Sequence, residues 1–447
     1  MKRFFLFVGI CFLAGALWVG YRWLYPLKPN VLLIVLDTLR ADHLGTYGYE
    51  RDTSPVLDAF ARENLRFNYA VTAATWTPAA MASIFSGLYV TAHGMMPPNK
   101  QPEASIAAKK ISTKLVDEVE TLAEVFSKNG YKTAGVSSNP WLQRAFGYSQ
   151  GFEVFKYLGR VRAGHVNRAG LTVLESLLQA DKPFFLYLHY MDPHEPYDPP
   201  PEFKEMFQGP IERPGYNEEM LRNINWYDGE IRYLDSKLGE LFAALKSRGV
   251  YDDLIIVIAA DHGEQFKERG SVGHGFNLND EELRVPLFIK TGRRVQRGEM
   301  DGVVSVIDIY PTILRLAGLK SSAVVQGQPL VGPSDWRSRP GVLAEIKRTA
   351  HYKGFVRSDG RKLIISYPLE QDFLVERPTT QLGRLVYDRS VDKFELSPVN
   401  ETKLEKELED DFWKLYEATR RLRVKEKIDK LEIDKKTIND LKSLGYM

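Results

Sequence analysis

Cysteine is nearly absent: the 447 residues contain one, Cys11, and it lies in an apolar stretch at the N-terminus. The rest of the chain therefore has no disulfide framework, no thiolate metal cage and no cysteine nucleophile to draw on. Excess charge is missing as well. The 60 lysines and arginines face 58 aspartates and glutamates, a formal net charge of +2. That balance leaves no electrostatic footprint for a polyanion, and nucleic acid is excluded as a partner. Internal repeats and low-complexity tracts are also lacking, which removes solenoids and disordered arrays from consideration.

Strongly apolar runs of bilayer length are scarce, but one stands out. Phe4 to Tyr21 carries no charge, with Lys2-Arg3 before it and Arg22 after it. A helix spanning a bilayer needs roughly 20 residues, so the run is barely sufficient. Ala14-Gly15-Ala16 has the small-x-small pattern of a signal-peptide cleavage site. Yet the apolar run continues through Leu17, Trp18 and Val19, and Val8-Gly9-Ile10 lacks the small residue that precedes a lipidated cysteine. The reading preferred is a membrane anchor within residues 1–28, with the catalytic body on the non-cytosolic side, periplasmic or extracellular.

Beyond Pro29 the chain alternates unbroken apolar runs with helical patterns. The runs are Asn30–Leu36, Lys132–Val136, Pro183–His189, Leu254–Ala260 and Val285–Lys290, and each has the character of a strand buried on both faces. Between them Ser54–Glu63, Thr121–Asn129, Asn167–Gln179 and Arg222–Ser247 read as helices. This order predicts an α/β sandwich over residues 29–340. After about Pro340 the pieces become short and turn-rich: Val342–Ile346, Tyr352–Arg357, Lys362–Tyr367 and Arg384–Tyr387. A charged helical stretch follows from Thr402 to Lys436. Residues 341–447 are therefore expected to form a small antiparallel sheet with an attached helix.

Ligands of open α/β sheets bind outside the carboxyl ends of the strands. Three of the runs end in chemically useful groups: one at Asp37, one leading to Asp192-Pro193-His194-Glu195, and one leading to Asp261-His262-Gly263-Glu264. One aspartate at a strand end is as often a helix cap as a catalyst; three such endings on one sheet are hard to attribute to capping alone. Four of the eight histidines, His189, His194, His262 and His274, fall in or just beyond these loops. Carboxylates beside imidazoles form a ligand set for one divalent metal ion, with zinc or manganese favoured and calcium or magnesium left open. Thr77-Pro78 opens a short helix closed by Gly87, with Thr77 expected as N-cap. A plain capped helix explains that pattern. So does a hydroxyl nucleophile set where free N–H groups greet an anion.

These motifs carry a resemblance. Val35-Leu36-Asp37-Thr38-Leu39-Arg40-Ala41-Asp42 through Tyr49 resembles the opening motif of sulfatases in the alkaline phosphatase superfamily. The likeness continues through Thr53-Ser54-Pro55, Asp58, the Thr77–Gly87 helix, the His189–Pro196 loop and Asp261-His262-Gly263-Glu264. It runs on through His274-Gly275, Glu282-Leu283-Arg284-Val285-Pro286, Asp308–Thr312, Leu385–Asp388 and Leu444-Gly445-Tyr446. The resemblance implies an alkaline-phosphatase-like sandwich: a large mixed central sheet between helices, with the small C-terminal antiparallel sheet and helix beside it. It implies metal ligands at Asp37, Thr77, Asp261 and His262, and substrate-oxyanion contacts at His194 and His274. Arg40, His189 and Arg284, which fall inside the same motifs, are assigned to substrate binding.

The departures bear on substrate. Sulfatases that make formylglycine do so within Cys/Ser-x-Pro-x-Arg, whereas this chain has Thr77-Pro78-Ala79-Ala80-Met81. Threonine cannot yield that aldehyde. Thr38 stands where sulfatases usually have a second metal-binding aspartate. A threonine nucleophile beside one metal is similar instead to phosphoethanolamine transferases and lipoteichoic acid synthases, which form a phospho-threonine intermediate. The expected function is a metal-dependent hydrolase or transferase acting on a sulfate or phosphate ester through Thr77, with a surface glycan or lipid as a candidate carrier of that ester. The competing expectation is a degenerate member that binds an anionic glycan or lipid without turnover.

Overall fold

The computed structural model describes residues 28–96, 110–111, 114–211, 213–214, 216–293, 295–332, 336–369, 380–424, 431–432 and 435–442. Its main sheet contains β1 (Val31–Leu36), β2 (Leu65–Val71), β3 (Lys132–Ser137), β4 (Val154–Tyr157), β5 (Phe184–Tyr190), β6 (Ile255–Ala260), β7 (Arg284–Val285), β8 (Leu287–Thr291) and β9 (Gly298–Ser305). Every residue of β1, β5 and β6 is buried. Such runs need cover on both faces, which is why their sequences do not alternate.

Five strands, in the order β6-β1-β5-β3-β4, are all parallel. On the far side of β6, β8 runs antiparallel to both β6 and β2. There β7 pairs antiparallel with β2 and β9 pairs parallel with it. The sheet is mixed, as expected. Three of its strands escaped the sequence reading for physical reasons. β2 alternates buried and half-buried residues in its first half, β4 is a short strand with no buried residue, and β9 is interrupted between Met300 and Val303.

The helices that cover the sheet are α1 (Pro55–Glu63), α2 (Thr77–Ser86), α3 (Leu122–Lys128), α4 (Ala163–Leu178), α5 (Glu218–Ser247) and α6 (Ile309–Ala317). A capping box starts α3: Glu124 N–H donates to Thr121 Oγ1 (3.2 Å) and Thr121 N–H to Glu124 Oε2 (2.8 Å). Asn217 caps α5, its side chain accepting from Met220 N–H.

A four-stranded antiparallel sheet follows, with β10 (Gly341–Lys347), β11 (His351–Arg357), β12 (Arg361–Tyr367) and β13 (Gly383–Asp388) in chain order. It is covered by α7 (Thr402–Arg420), whose buried residues Leu404, Leu408, Phe412 and Tyr416 recur every fourth position. That stripe stops near Thr419, so the helix ends at Arg420 rather than running on to Lys436. Leu431–Glu432 pairs as a strand with Lys110–Ile111 instead.

The membrane placement requires correction. The segment on which it rested, residues 4–21, lies outside the described residues, as does the Leu444-Gly445-Tyr446 motif. Among the described residues no helix is long and apolar enough to cross a membrane. The 30-residue α5 has the length but carries charge throughout. The assignment of a membrane-anchored, non-cytosolic body is accordingly withdrawn.

Candidate active site

The site is built from the adjacent carboxyl ends of β6, β1, β5 and β3. Registers pair Leu36 with Ala260 and with Tyr190, and Ser137 with His189. Asp37, Asp261, His189 and Asn139 are thus delivered to one edge by four neighbouring strands. Asp37, His189 and Asp261 each offer a ligand atom within 4.8 Å of the others, and all three are buried. Asp37 Oδ1, Asp261 Oδ2 and both ring nitrogens of His189 make no hydrogen bond. Buried polar atoms without partners are costly, so a cluster of them facing one another fits a cation that would satisfy them all. Burial first, and then the charge of Asp261, pushes the Asp37 carboxyl well up; burial lowers His189 to about 4. A buried carboxyl disfavoured as an anion by a neighbouring carboxylate is what a divalent ion relieves.

Thr77 borders this cluster. The structure puts Trp76 at the N-cap of α2, with no side-chain cap, and makes Thr77 the first helical residue. The expected capping role therefore falls away, and the hydroxyl is turned elsewhere. Thr77 Oγ1 lies 3.1 Å from His262 Nε2 and 3.5 Å from the Asn139 side-chain amide nitrogen. His262 Nδ1 sits 2.9 Å from the Gly263 carbonyl, so Nδ1 carries the ring proton and Nε2 accepts from Thr77. His262 Nε2 is also 3.4 Å from Asp261 Oδ2. Asn139 donates to Asp37 Oδ2 (2.6 Å) while its own carbonyl accepts from Trp141 N–H, which fixes the amide's orientation. Thr38 takes a left-handed backbone (φ 56°), rare for a β-branched residue, and donates its N–H to Asp261 Oδ1 at 3.2 Å. Tyr227 braces the same turn, donating to the Thr38 carbonyl and accepting from Arg40 N–H.

Three imidazoles continue outward. His274 lies against His262 (ring centroids 4.3 Å) and edge-on to His194 (5.0 Å). Burial drives His194 down to about 3, with Arg160 adding to the effect. Burial and the neighbouring His262 and His194 hold His274 well below the usual range. Burial thus favours the neutral form of both imidazoles. His274 Nδ1 is 3.0 Å from Glu264 Oε1, and His194 Nδ1 is 2.6 Å from the Glu195 carbonyl. The loop carrying His274 is clamped by buried Glu282, whose Oε2 accepts from the N–H groups of Gly275 and Phe276. The Glu282 carbonyl takes Gly263 N–H, and Gly263 has no room for a side chain: a Cβ there would meet the Glu281 carbonyl at 2.1 Å.

Of the residues singled out in the sequence, the structure brings together Asp37, Thr77, His189, His194, Asp261, His262 and His274. Two arginines have other partners. Arg40 is buried, donating to both oxygens of Asp42, to Glu268 and to the Glu264 carbonyl. Arg284 lies over the rings of Tyr47 and Tyr69 and donates to the Asn68 carbonyl. Sequence reasoning passed over Asn139, although it follows an apolar strand as Asp37 does; asparagine after a strand is too common to stand out. It also missed Arg160, which donates to the His194 and Pro196 carbonyls, and Arg348, which donates to that of His274.

A family model described as Sulfatase matches residues 29–319. The chain belongs to the sulfatase family. It is similar to an arylsulfatase of Clostridium perfringens, 24% identical over 386 residues covering 68% of this chain and 78% of that one. Among solved structures, a Bacteroides thetaiotaomicron protein from a study of glycosaminoglycan metabolism, designated 4S-sulf, superposes with TM-score 0.71 at 18% identity, covering 88% of this chain and 96% of the other. The phosphonate monoester hydrolase of Agrobacterium radiobacter gives TM-score 0.67 at 17% identity with the same coverages. These likenesses show the alkaline-phosphatase-like fold. As a member of this family the chain is an enzyme, an ester hydrolase.

Proposed function

We propose that this sulfatase-family enzyme cleaves or transfers a phosphate ester, in preference to a sulfate ester, through a covalent intermediate on Thr77. The observation that carries the proposal is the buried Thr77 hydroxyl, 3.1 Å from His262 Nε2 and beside the Asp37–His189–Asp261 cluster with its unsatisfied ligand atoms. Asp37, Asp261, His189 and His262, with the Thr77 hydroxyl at their border, would hold one divalent ion. That ion, when bound, supplies Lewis-acid polarisation of the ester and acidifies the hydroxyl. Zinc or manganese suits a set with two imidazoles better than calcium or magnesium.

With His262 Nε2 committed to the ion, the acidified Thr77 hydroxyl would release its proton to solvent before Oγ attacks. Oγ then bonds to phosphorus as the bond to the departing alcohol breaks. The alcohol leaves with a proton from the His194–His274 pair, whose charged forms the bound anion favours. Release of the group from Thr77 requires a second displacement, by water or an acceptor alcohol. A formylglycine hydrate has a second hydroxyl and expels sulfate by elimination; threonine has one and cannot. Phosphoryl centres accept double displacement readily, which is why phosphate esters are favoured here, and the phosphonate ester hydrolase shares the fold.

Mass spectrometry of acid-quenched enzyme tests the reading: the added group should sit on the peptide containing Thr77. Thr77→Ala should lower kcat by ~1,000-fold or more, while Thr77→Ser keeps part of the activity because it keeps the hydroxyl. Normal turnover by Thr77→Ala, or sulfate esters as clearly better substrates, would sink it.

A further inference from the structure

The rim of the site carries a guanidinium that the ester chemistry does not use. Arg348 lies in the β10–β11 turn, so it reaches the histidines from the C-terminal sheet. Its Nη1 donates to the His274 carbonyl at 2.7 Å, and its guanidinium carbon sits 4.3 Å from the centre of the Phe276 ring. Gly275 leaves room for this approach, since a Cβ there would stand 3.3 Å from Nη1. Arg348 is half-buried, and among the described residues its side-chain hydrogen bond goes to the His274 carbonyl rather than to a carboxylate. Glu195 is near enough to feel its charge but stays unpaired with it. Nε and Nη2 accordingly have no partner among the described residues. An arginine stacked on an aromatic ring, held by one nitrogen and open on its other edge, is pre-organised for a bidentate anion. The reacting group is already provided for by His194, His274 and the Asp37–Asp261 edge.

We infer that Arg348 is a specificity residue that binds a second anionic group of the substrate, a carboxylate or another sulfate or phosphate, next to the ester being cleaved. This rests on the reading of the histidine–carboxylate cluster as the ester site. Its substrate class is then an ester on a polyanionic molecule rather than on a neutral alcohol. Arg160, which donates to the His194 carbonyl from the loop after β4, adds positive charge on the same rim.

The test is equilibrium binding by calorimetry of the full-length metal-loaded enzyme. The probes are phenylphosphonate and its 4-carboxy and 4-sulfo derivatives. A charge-assisted bidentate contact should make at least one anionic derivative bind ~10-fold or more tighter than the parent. Arg348→Gln should bring the three affinities together. Arg348→Lys should keep part of the preference, for a charge without the fork. A carboxylate preference points to a uronate-like neighbour, and a sulfonate preference to a second sulfate or phosphate. Equal affinities in the parent enzyme, no binding of any probe, or a preference that survives Arg348→Gln would overturn the inference. The binding preference should persist in Thr77→Ala. A Thr77→Ala enzyme that turns over normally yet keeps the preference would remove the covalent reading and leave this one standing.

Discussion

At the scale of single residues, the site separates groups that would hold an ion from groups that hold those groups. Asp37, Asp261 and His189 present atoms with no other partner. Asn139 has no lone pair aimed into the cluster; its amide donates to Asp37 Oδ2 and is itself fixed by Trp141 N–H. Removing a ligand and removing its support should therefore differ in degree. The purified enzyme should contain one divalent ion per chain by elemental analysis. Asp261→Asn and His189→Gln should lose it on dialysis while remaining folded, because β5 and β6 beneath them are apolar and self-sufficient. Asn139→Ala should weaken the metal by ~10–100-fold, as loss of an orienting partner does elsewhere. Stoichiometric metal retained by Asp261→Asn after dialysis would take that carboxylate out of the ligand set.

Secondary-structure elements show how much of this was legible beforehand. Unbroken apolar runs announced β1, β3, β5 and β6, and the rule that ligands sit beyond strand ends located Asp37, Asp261 and the histidine loops. The pairing order was not legible: nothing in the sequence places Asn139 two strands away from Asp37. Nor did any local signal place Arg348 beside His274, since that contact comes from a turn 74 residues further along the chain. The support of the His194 loop was hidden in the same way. It is held by two buried carboxylates, Asp192 accepting from Ala163 N–H at the start of α4 and Glu230 of α5 accepting from Asp198 N–H. Burial, then the charge of Asp192, pushes Glu230 up to about 8; burial raises Asp192 to about 6. Both shifts mean that the folded state binds protons more tightly than the unfolded chain. Their contribution to stability is thus complete below the ordinary carboxylate range and is lost as pH rises through about 6 and about 8. Glu230→Gln should remove the upper part of that loss. Denaturant unfolding should find the variant more stable than the parent by on the order of 2 kcal/mol near pH 9 and little changed near pH 5. An identical pH slope in both would show that Glu230 is not the group that titrates.

For the molecule as a whole, the question is whether the two sheets behave as one body. The C-terminal sheet is joined to the main one by backbone and by buried charge. Glu345 N–H of β10 donates to the Ala73 carbonyl, and Glu345 Oε2 accepts from Thr91. On β12, fully buried Lys362 reaches Asp280 (2.5 Å) and Glu395 (2.5 Å) and donates to the Leu278 carbonyl. Arg389 completes the set by pairing with Asp280 and lying 3.8 Å above the Tyr69 ring. Two cations thus face two carboxylates, Asp280 on the segment between His274 and β7 and Glu395 beyond β13. The cations are strongly favoured there: the two carboxylates drive Lys362 upward, and Arg389 and Lys362 drive Asp280 downward, in each case against burial. Such a network adds little over well-packed apolar groups but is costly to break, because one missing partner leaves charge buried and uncompensated. We therefore expect Lys362→Met to lose ~3–5 kcal/mol of stability. Lys362→Met with Asp280→Asn should lose less than the sum of the two single changes, since each removes the other's stranded charge. The measurement is a double-mutant cycle by denaturant unfolding, followed both by a whole-chain signal and by substrate-analogue binding at the His274 side. Both probes should report one coincident transition, shifted together by Lys362→Met. If the substrate site is lost at a lower denaturant concentration than the bulk of the structure, or if the double variant is simply additive, the network does not join the two sheets into one unit.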